Sequence, residues 1–189
     1  MERFFVEKFL QIVAIFRKEG NMQSIKRDIY LQRLKDREQN GLVKIVTGIR
    51  RCVKSYLLNT LFYEYLKEKG VKDNHIIKIS LDDDENSDLL LPKALSRYIK
   101  NLIVDDELYY VLLDEIQLAD NFVGVLNGLL KFPNVDIYVT GSNSKFLSTD
   151  IVTEFRGRGD EVRILPLSFS EFMSVYNGSS IQGWKEYYT

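Results

Sequence analysis

The chain has 189 residues, of which 45% are hydrophobic and 28% are charged, so it is long enough for one domain with a substantial core. A net charge of −1 excludes a global attraction to nucleic acid, and any such contact would have to be a local patch. The single cysteine excludes an internal disulfide. The sequence also shows no signal peptide and no apolar run long enough to span a bilayer, so we expect a cytoplasmic protein without membrane contact.

The N-terminal part of the chain predicts two amphipathic helices. Residues 1–19 carry apolar side chains at helical spacing, which indicates a helix packed on the domain or an arm that binds a membrane or a partner. Residues 17–21 can be encoded by a purine-rich tract resembling a bacterial ribosome-binding site, so Met22 is a second candidate for the start. Residues 22–40 predict the second helix, ended by Gly41, with a basic face that is solvated or contacts a partner. The basic residues of that face include Lys26, Arg27, Arg33 and Arg37.

From residue 42 onward, short apolar runs alternate with helical patterns, which is the order expected of a parallel sheet covered by helices. The predicted strands are 42–47, 75–81, 109–115, 135–140 and 161–165. The predicted helices are 56–69, 92–104 and 122–131, and a short last helix is capped by Ser168 with Glu171 at capping-box spacing. His75, the only histidine, has no cysteine or histidine companion and is predicted to be structural.

Residues 48–55 form the most informative stretch. They fit the phosphate-binding pattern G-x-x-x-x-G-K-[ST] at every fixed position but one, where Val53 replaces the second glycine. In such a loop, backbone N–H groups and the dipole of the following helix converge on an anion. Lys54 would reach the outer phosphates, and the Ser55 hydroxyl would ligate Mg²⁺. The residues expected at the nucleotide are Gly48, Ile49, Arg50, Arg51, Cys52, Val53, Lys54, Ser55 and Tyr56.

Polar residues follow three of the predicted strands. Asp114 and Glu115 end an apolar strand, and in P-loop ATPases the first such carboxylate holds the Mg²⁺ shell while the second activates water. Ser142 and Asn143 follow the next strand as turn residues or, alternatively, as sensors of the γ-phosphate that orient the water. Asp82 lies in an acidic run that is a solvated loop or approaches the nucleotide, because ligands of parallel sheets gather at the strands' carboxyl ends.

Two arginines, Arg156 and Arg158, flank Gly157 on a turn before the last strand. They are either a solvated loop or an arginine finger or sensor that neutralises charge in the transition state, in the same chain or in a neighbouring subunit. Action on a neighbouring subunit requires a homo-oligomer.

These motifs, together with the Leu-Pro-Leu-Ser-Phe-Ser-Glu-Phe segment at 165–172, resemble the prokaryotic AAA+-type ATPases whose loop reads close to G-I-R-R-C-G-K-S. The resemblance implies a three-layer α/β/α sandwich on a mainly parallel five-stranded sheet, with strand order 5-1-4-3-2, and ATP and Mg²⁺ as cofactors. The resemblance also implies a domain arrangement, because in this family the ATPase domain is followed by a longer C-terminal domain. The implied division is an extension at 1–21, the ATPase domain at 22–168 and the start of a truncated C-terminal region at 169–189.

Val53 is the departure from the family pattern. A β-branched residue in a conformation suited to glycine costs about 1–3 kcal/mol, which is on the order of tenfold to a hundredfold in nucleotide affinity.

Three functions are therefore compatible with the sequence. The first is a MgATP-hydrolysing domain weakened by Val53, and the second is an impaired P-loop scaffold that serves interactions. The third is a DNA-associated module, and the only sequence feature that supports it is the mildly basic helix at 22–37.

Overall fold

The computed structural model describes residues 27–48, 53–141, 155, 157–166, 168–174 and 176–188. The helix expected at 1–19 and the first part of the helix expected at 22–40 lie outside these residues. The chain divides into two compact units, a larger one at Asp28–Pro166 and a smaller one that contains Arg27 and the described residues from Ser168 onward. None of the described helices is long and apolar enough to cross a membrane.

A five-stranded sheet forms the centre of the larger unit, and every neighbouring pair of strands is parallel. Its strands are β1 (Val43–Gly48), β2 (Ile76–Ser80), β3 (Tyr109–Asp114), β4 (Val135–Thr140) and β5 (Gly159–Ile164). Their spatial order, β2-β3-β4-β1-β5, is the predicted order read from the other edge, so the predicted fold is confirmed. Strands β1, β3 and β4 are buried at every residue, as expected of inner strands covered on both faces.

Helices cover both faces of the sheet. The larger unit contains α1 (Asp28–Lys35), α2, α3 (Pro92–Leu102) and α4 (Phe122–Leu129). Helix α2 runs through Lys54–Tyr56, a π-helical stretch at Leu57–Phe62, and Tyr63–Glu68. Leu95 of α3 and Leu126 of α4 belong to one buried cluster, whereas Leu34 of α1 and Phe62 of α2 belong to the other. The two clusters use alternate residues of the strands, which is the arrangement of a three-layer α/β/α sandwich.

Helix α1 is shorter than the pattern at 22–40 predicts. It ends at Lys35, and a turn that includes Gln39 at φ 55° leads to β1. The Gln39 N–H donates to Asp136 Oδ2 at 3.0 Å, so the turn is fixed by a tertiary contact that local periodicity does not report. Leu34 is buried, but Ile29 is 68% exposed and does not join the core.

His75 occupies a structural position, as predicted. Its ring is buried, and its two nitrogens lie 3.1 Å from Asp105 Oδ2 and 3.3 Å from Glu107 Oε2. The ring packs edge-on against Tyr109, with centroids 4.6 Å apart. The residue therefore fixes the start of β2 to the connection between α3 and β3.

The smaller unit contains α5 (Phe169–Met173) and α6 (Ser180–Tyr188). The predicted capping box is present: the Glu171 N–H donates to the Ser168 hydroxyl, and the Ser168 N–H donates to the Glu171 carboxylate. The other oxygen of Glu171 lies 3.3 Å from Nε of Arg27. Trp184 of α6 packs edge-on against Phe169 of α5 at 5.0 Å.

Candidate functional site

Three neighbouring strands end at the same edge of the sheet. Gly48 ends β1, Asp114 ends β3 and Thr140 ends β4, which lies between the other two. The strands are parallel, so their last residues meet there. Two of the residues predicted at the nucleotide, Gly48 and Asp114, are thereby brought to one region.

Gly48 satisfies two requirements at the end of β1. Its φ is 154°, and a Cβ at this position would lie 2.6 Å from the carbonyl oxygen of Ile164 on β5. Gly48 and Ile164 are register partners, so the neighbouring strand leaves no space for a side chain. The first glycine of the phosphate-loop pattern is therefore demanded by strand packing and by its own backbone conformation.

Lys54 is the first residue of α2, and its side chain is directed back toward the end of β1. It is 3% exposed, and its Nζ donates to the Gly48 carbonyl oxygen at 3.4 Å. A buried ammonium group at this position supplies positive charge where the first turn of the helix also directs backbone N–H groups. This combination favours a bound anion.

Val53 precedes the helix in the left-handed conformation, at φ 65° and ψ 25°. A β-branched residue rarely adopts this conformation, because its Cβ substituents crowd the backbone. The position is thus one at which glycine is free of strain and valine is not.

Asp114 is the centre of a hydrogen-bonded group. Its carboxylate accepts from the Thr140 hydroxyl and from Asn59 Nδ2, the latter at 3.2 Å, and the Ser55 hydroxyl is near enough to influence its pKa. Burial raises the pKa of the Asp114 carboxyl, the hydrogen bonds from Thr140 and Ser55 lower it, and the negative charges of Glu115 and Asp82 raise it further. A cation beside this carboxylate would offset the cost of burying its charge.

Glu115 directly follows β3 at φ 51°. Its N–H donates to the Thr140 hydroxyl at 3.0 Å, and its carboxylate accepts a hydrogen bond from Gln117 Nε2. Gln117 Oε1 and Asn59 Oδ1 are buried and have no hydrogen-bond partner within the described residues. Both carboxamide oxygens are acceptors available to a water molecule or a ligand.

Sequence reasoning did not find Thr140, Asn59 or Gln117. Asn59 follows Ser55 by four residues, the spacing that places two side chains on one helix face, and it lies in the π-helical stretch of α2. Thr140 ends the strand between the two that carry the predicted site. The spacing of Asn59 and the strand-end position of Thr140 could have indicated both residues as site candidates. Gln117 had no such signal beyond its closeness to Glu115 in the sequence.

Several predicted site residues are placed elsewhere or are not described. Tyr56 is half-buried and packs against the core beneath α2. Arg158 lies before β5, and its carbonyl accepts from the N–H of Val43, the first residue of β1. Arg158 therefore lies at the end of the sheet where the strands begin, whereas Gly48 lies where β1 ends. The length of β1 separates the two by about 16 Å, at roughly 3.3 Å per strand residue. The predicted residues outside the described part are Ile49, Arg50, Arg51, Cys52, Ser142, Asn143 and Arg156.

The oxygen atoms of Ser55 and Asp114 are suitable ligands for a Mg²⁺ ion that binds together with a nucleotide. No group of three or more histidine, cysteine or acidic side chains within the described residues could hold a metal by itself. Mg²⁺ at nucleotide sites uses one or two carboxylates together with phosphate oxygens and water, so it needs no such group. The Ser55 hydroxyl and the Asp114 carboxylate, which are in hydrogen-bond contact, are hard oxygen donors of that type.

A parallel α/β/α sandwich with a lysine and a serine opening the helix after β1, and an acidic pair after β3, defines a fold of the P-loop ATPase type. The family model described as "AAA domain" matches residues 40–173. The chain therefore belongs to this AAA domain family.

Two curated relatives are uncharacterized proteins. One, from Haemophilus influenzae, is 32% identical over 157 residues, which cover 82% of this chain and 39% of the relative. The other, from Methanocaldococcus jannaschii, is 35% identical over 161 residues, which cover 81% of this chain and 32% of the relative. The chain thus spans between about a third and two fifths of the length of these relatives.

Solved structures share the fold. Cdc6p from Pyrobaculum aerophilum superposes with a TM-score of 0.53 at 12% identity, over 82% of this chain and 50% of that one. A DNA polymerase III gamma subunit-related protein from Thermotoga maritima gives 0.53 at 15% identity, over 84% and 56%. At these identities the likeness concerns the fold alone.

Proposed function

We propose that the chain binds MgATP at the carboxyl edge of its sheet and hydrolyses it, with binding weakened by Val53. The observation that carries the proposal is the convergence of the Lys54 ammonium on the end of β1 and of the Ser55 hydroxyl on Asp114. These are the positions at which a phosphate chain and its Mg²⁺ are held in P-loop proteins. Membership of the AAA domain family supports the same assignment.

Each residue of the site has a distinct task in this proposal. Lys54 and the N–H groups at the start of α2 neutralise the outer phosphates. Ser55 and Asp114 hold Mg²⁺, which supplies charge neutralisation at the transferred phosphoryl group when it is bound. Glu115 accepts a proton from the attacking water, and Gln117 orients the Glu115 carboxylate through its carboxamide. Ser142 and Asn143 remain candidates for contact with the γ-phosphate and the water.

Arg158 cannot serve the site of its own chain, because it lies at the amino edge of the sheet. As an arginine finger it would act on a neighbouring copy whose carboxyl edge faces this amino edge, and Arg156 is the alternative residue in the same turn. Such a head-to-tail contact predicts hydrolysis per chain that rises with protein concentration. Arg158→Ala would abolish that rise if Arg158 is the finger.

The alternative function is an impaired P-loop scaffold. Val53 at φ 65° favours it, since the strain and the added side chain both oppose the approach of phosphate to the backbone. In that case Lys54, Ser55 and Asp114 would keep their contacts without a nucleotide. The two functions differ in whether the chain binds MgATP at all.

Calorimetry of MgATP binding, followed by a phosphate-release assay, tests the proposal on three proteins. Lys54→Ala should weaken binding by about tenfold to a hundredfold, the worth of a hydrogen bond to a charged group. Glu115→Gln should retain binding and lose at least about a hundredfold in hydrolysis, the contribution of a general base. Binding that is unaffected by Lys54→Ala would contradict the assignment of the site.

A further inference from the structure

A groove on the surface of the larger unit lies between α3 and α4 and has a volume of about 540 Å³. Three of its lining residues are the cations Lys93, Arg97 and Lys100, all from α3. The remaining lining residues are Pro92, Ser96, Asn101, Asn121, Gly124 and Val125, and no carboxylate is among them. The groove is thus a local basic patch on a chain whose net charge is −1.

The three cations form one row along α3. They are spaced by four and three residues, which corresponds to about 6 Å and 4.5 Å along a helix axis. All three are exposed, and none forms an ion pair within the described part of the chain. By contrast, Lys67 pairs with Asp73 and Lys72 pairs with Glu107.

The floor of the groove is built around Asn121, which precedes α4 in the left-handed conformation at φ 44°. The Asn121 carboxamide lies close to the backbone of α4, since a Cβ at Gly124 would be 2.8 Å from Asn121 Nδ2. Asn101 and Ser96 add further polar groups to the lining. Carboxamides and hydroxyls of this kind are common contacts to phosphate oxygens and sugars.

The face predicted to be basic by sequence, that of the helix at 22–37, does not supply such a surface in the described residues. Arg37 donates to Asp160 at 2.9 Å, and Arg27 is 1% exposed and lies 3.3 Å from Glu171. Both of these cations are used inside their own units, and Arg33 is the one exposed cation that this face retains in the described residues. The α3 row differs because it places three exposed cations side by side on one helix.

We propose that this groove binds the phosphate backbone of duplex DNA without sequence selectivity. A row of exposed cations that form no ion pair within the described residues, with polar neighbours, matches the regular charges of a polyanion. The Lys100 ammonium also lies over the Phe132 ring, 5.8 Å from its centroid. The lining contains no aromatic side chain on which the bases of a single strand would stack, and Pro92 and Val125 are its only sizeable apolar residues, too few to anchor a protein partner. The proposal does not depend on nucleotide binding at the other site.

Fluorescence anisotropy with a labelled mixed-sequence DNA duplex tests this proposal on the full chain without nucleotide. Neutralisation of three phosphates predicts a slope of log K against log salt of about −2.7, or a loss of about 40-fold between 50 and 200 mM salt. The variant Lys93→Gln/Arg97→Gln/Lys100→Gln should lose this salt-dependent binding. Arg97→Gln alone should reduce the slope by about 0.9.

The matched control is Lys67→Gln/Lys72→Gln/Lys78→Gln, which removes the same charge outside the groove and should keep at least half of the affinity of the parent. Circular dichroism checks that each variant is folded. The proposal is overturned if the parent does not bind the duplex at 50 mM salt, or if the groove variants and the control lose affinity equally. Binding of single-stranded DNA or polyglutamate through the same three residues with equal or higher affinity would also overturn it.

Discussion

The carboxylate of Glu115 accepts a hydrogen bond from a neighbouring side chain, and the proposed chemistry requires this carboxylate to be correctly placed. Gln117 Nε2 donates to this carboxylate, and the backbone N–H of Glu115 is fixed by Thr140. A general base is effective only when its lone pair is directed at the water it activates. In the proposed mechanism, Gln117 is therefore a positioning residue for Glu115.

Gln117→Ala should lower the rate of ATP hydrolysis by about tenfold or more, because a hydrogen bond to a charged group contributes about 1.5–3 kcal/mol. ATP affinity should change by less than about twofold, since Gln117 is not expected to contact the phosphates. Phosphate release and calorimetry on the same samples separate the two effects. The control is Gln32→Ala, which removes an exposed contact to Asp36; an equal effect of the two variants would contradict the role of Gln117.

At the level of residues, sequence predicted those parts of the site that a local pattern specifies. Lys54 and Ser55 are adjacent in one motif, and Asp114 and Glu115 end one apolar run. The contacts of Thr140 and Asn59 with Asp114 were not predicted, because they depend on which side chains of β4 and which face of α2 meet the end of β3. Periodicity within one element does not contain that information.

The turn between α1 and β1 is held by a cluster of polar contacts around Glu38. Its side chain is 10% exposed and accepts hydrogen bonds from Tyr65 of α2 at 2.6 Å, from Tyr110 of β3 at 2.8 Å and from Lys69. Burial by itself would raise the pKa of the Glu38 carboxyl. The hydrogen bonds from Lys69, Tyr65 and Tyr110 outweigh burial, so the pKa is lowered.

A carboxyl whose pKa is lowered by folding stabilises the protein above its unfolded pKa, here near 4.5, and the contribution is lost as pH falls through the folded value. Glu38→Gln should therefore cost about 1–3 kcal/mol of unfolding free energy at pH 7 and weaken the decline in stability below about pH 4.5. Urea unfolding between pH 3 and pH 7 measures both. Glu64→Gln, on the exposed face of α2, is the control; a parallel loss in both variants would contradict the account.

Strands were easier to predict than helix ends. Strand β4 matches its predicted bounds, and β1 differs by one residue at each end, because long apolar runs in buried parallel strands are distinctive. Helix α1 ends five residues before the predicted end, since contacts of Glu38 and Gln39 with distant elements override the helical pattern. Lys44, which is fully buried in β1, was equally unpredictable: it pairs with Asp136 of β4.

At the scale of the whole molecule, the two proposed sites use different parts of one sandwich. The nucleotide residues gather where β1, β3 and β4 end, whereas the basic groove lies between two helices that cover one face. The parallel sheet brings distant segments of sequence to its carboxyl edge, and family membership could be predicted from the order of those segments. The groove could not, because its lining comes from two helices whose proximity only the fold establishes.

Calorimetric titration of MgATP into the parent chain and into Val53→Gly tests the central claim, that residues 48–55 form a phosphate loop weakened at one position. The glycine variant should bind about fivefold to 150-fold more tightly, since relief of about 1–3 kcal/mol of strain corresponds to that range of affinity. Adding Lys54→Ala to Val53→Gly should remove that gain. If neither the parent nor Val53→Gly binds MgATP, the claim is contradicted, and the fold serves as a scaffold.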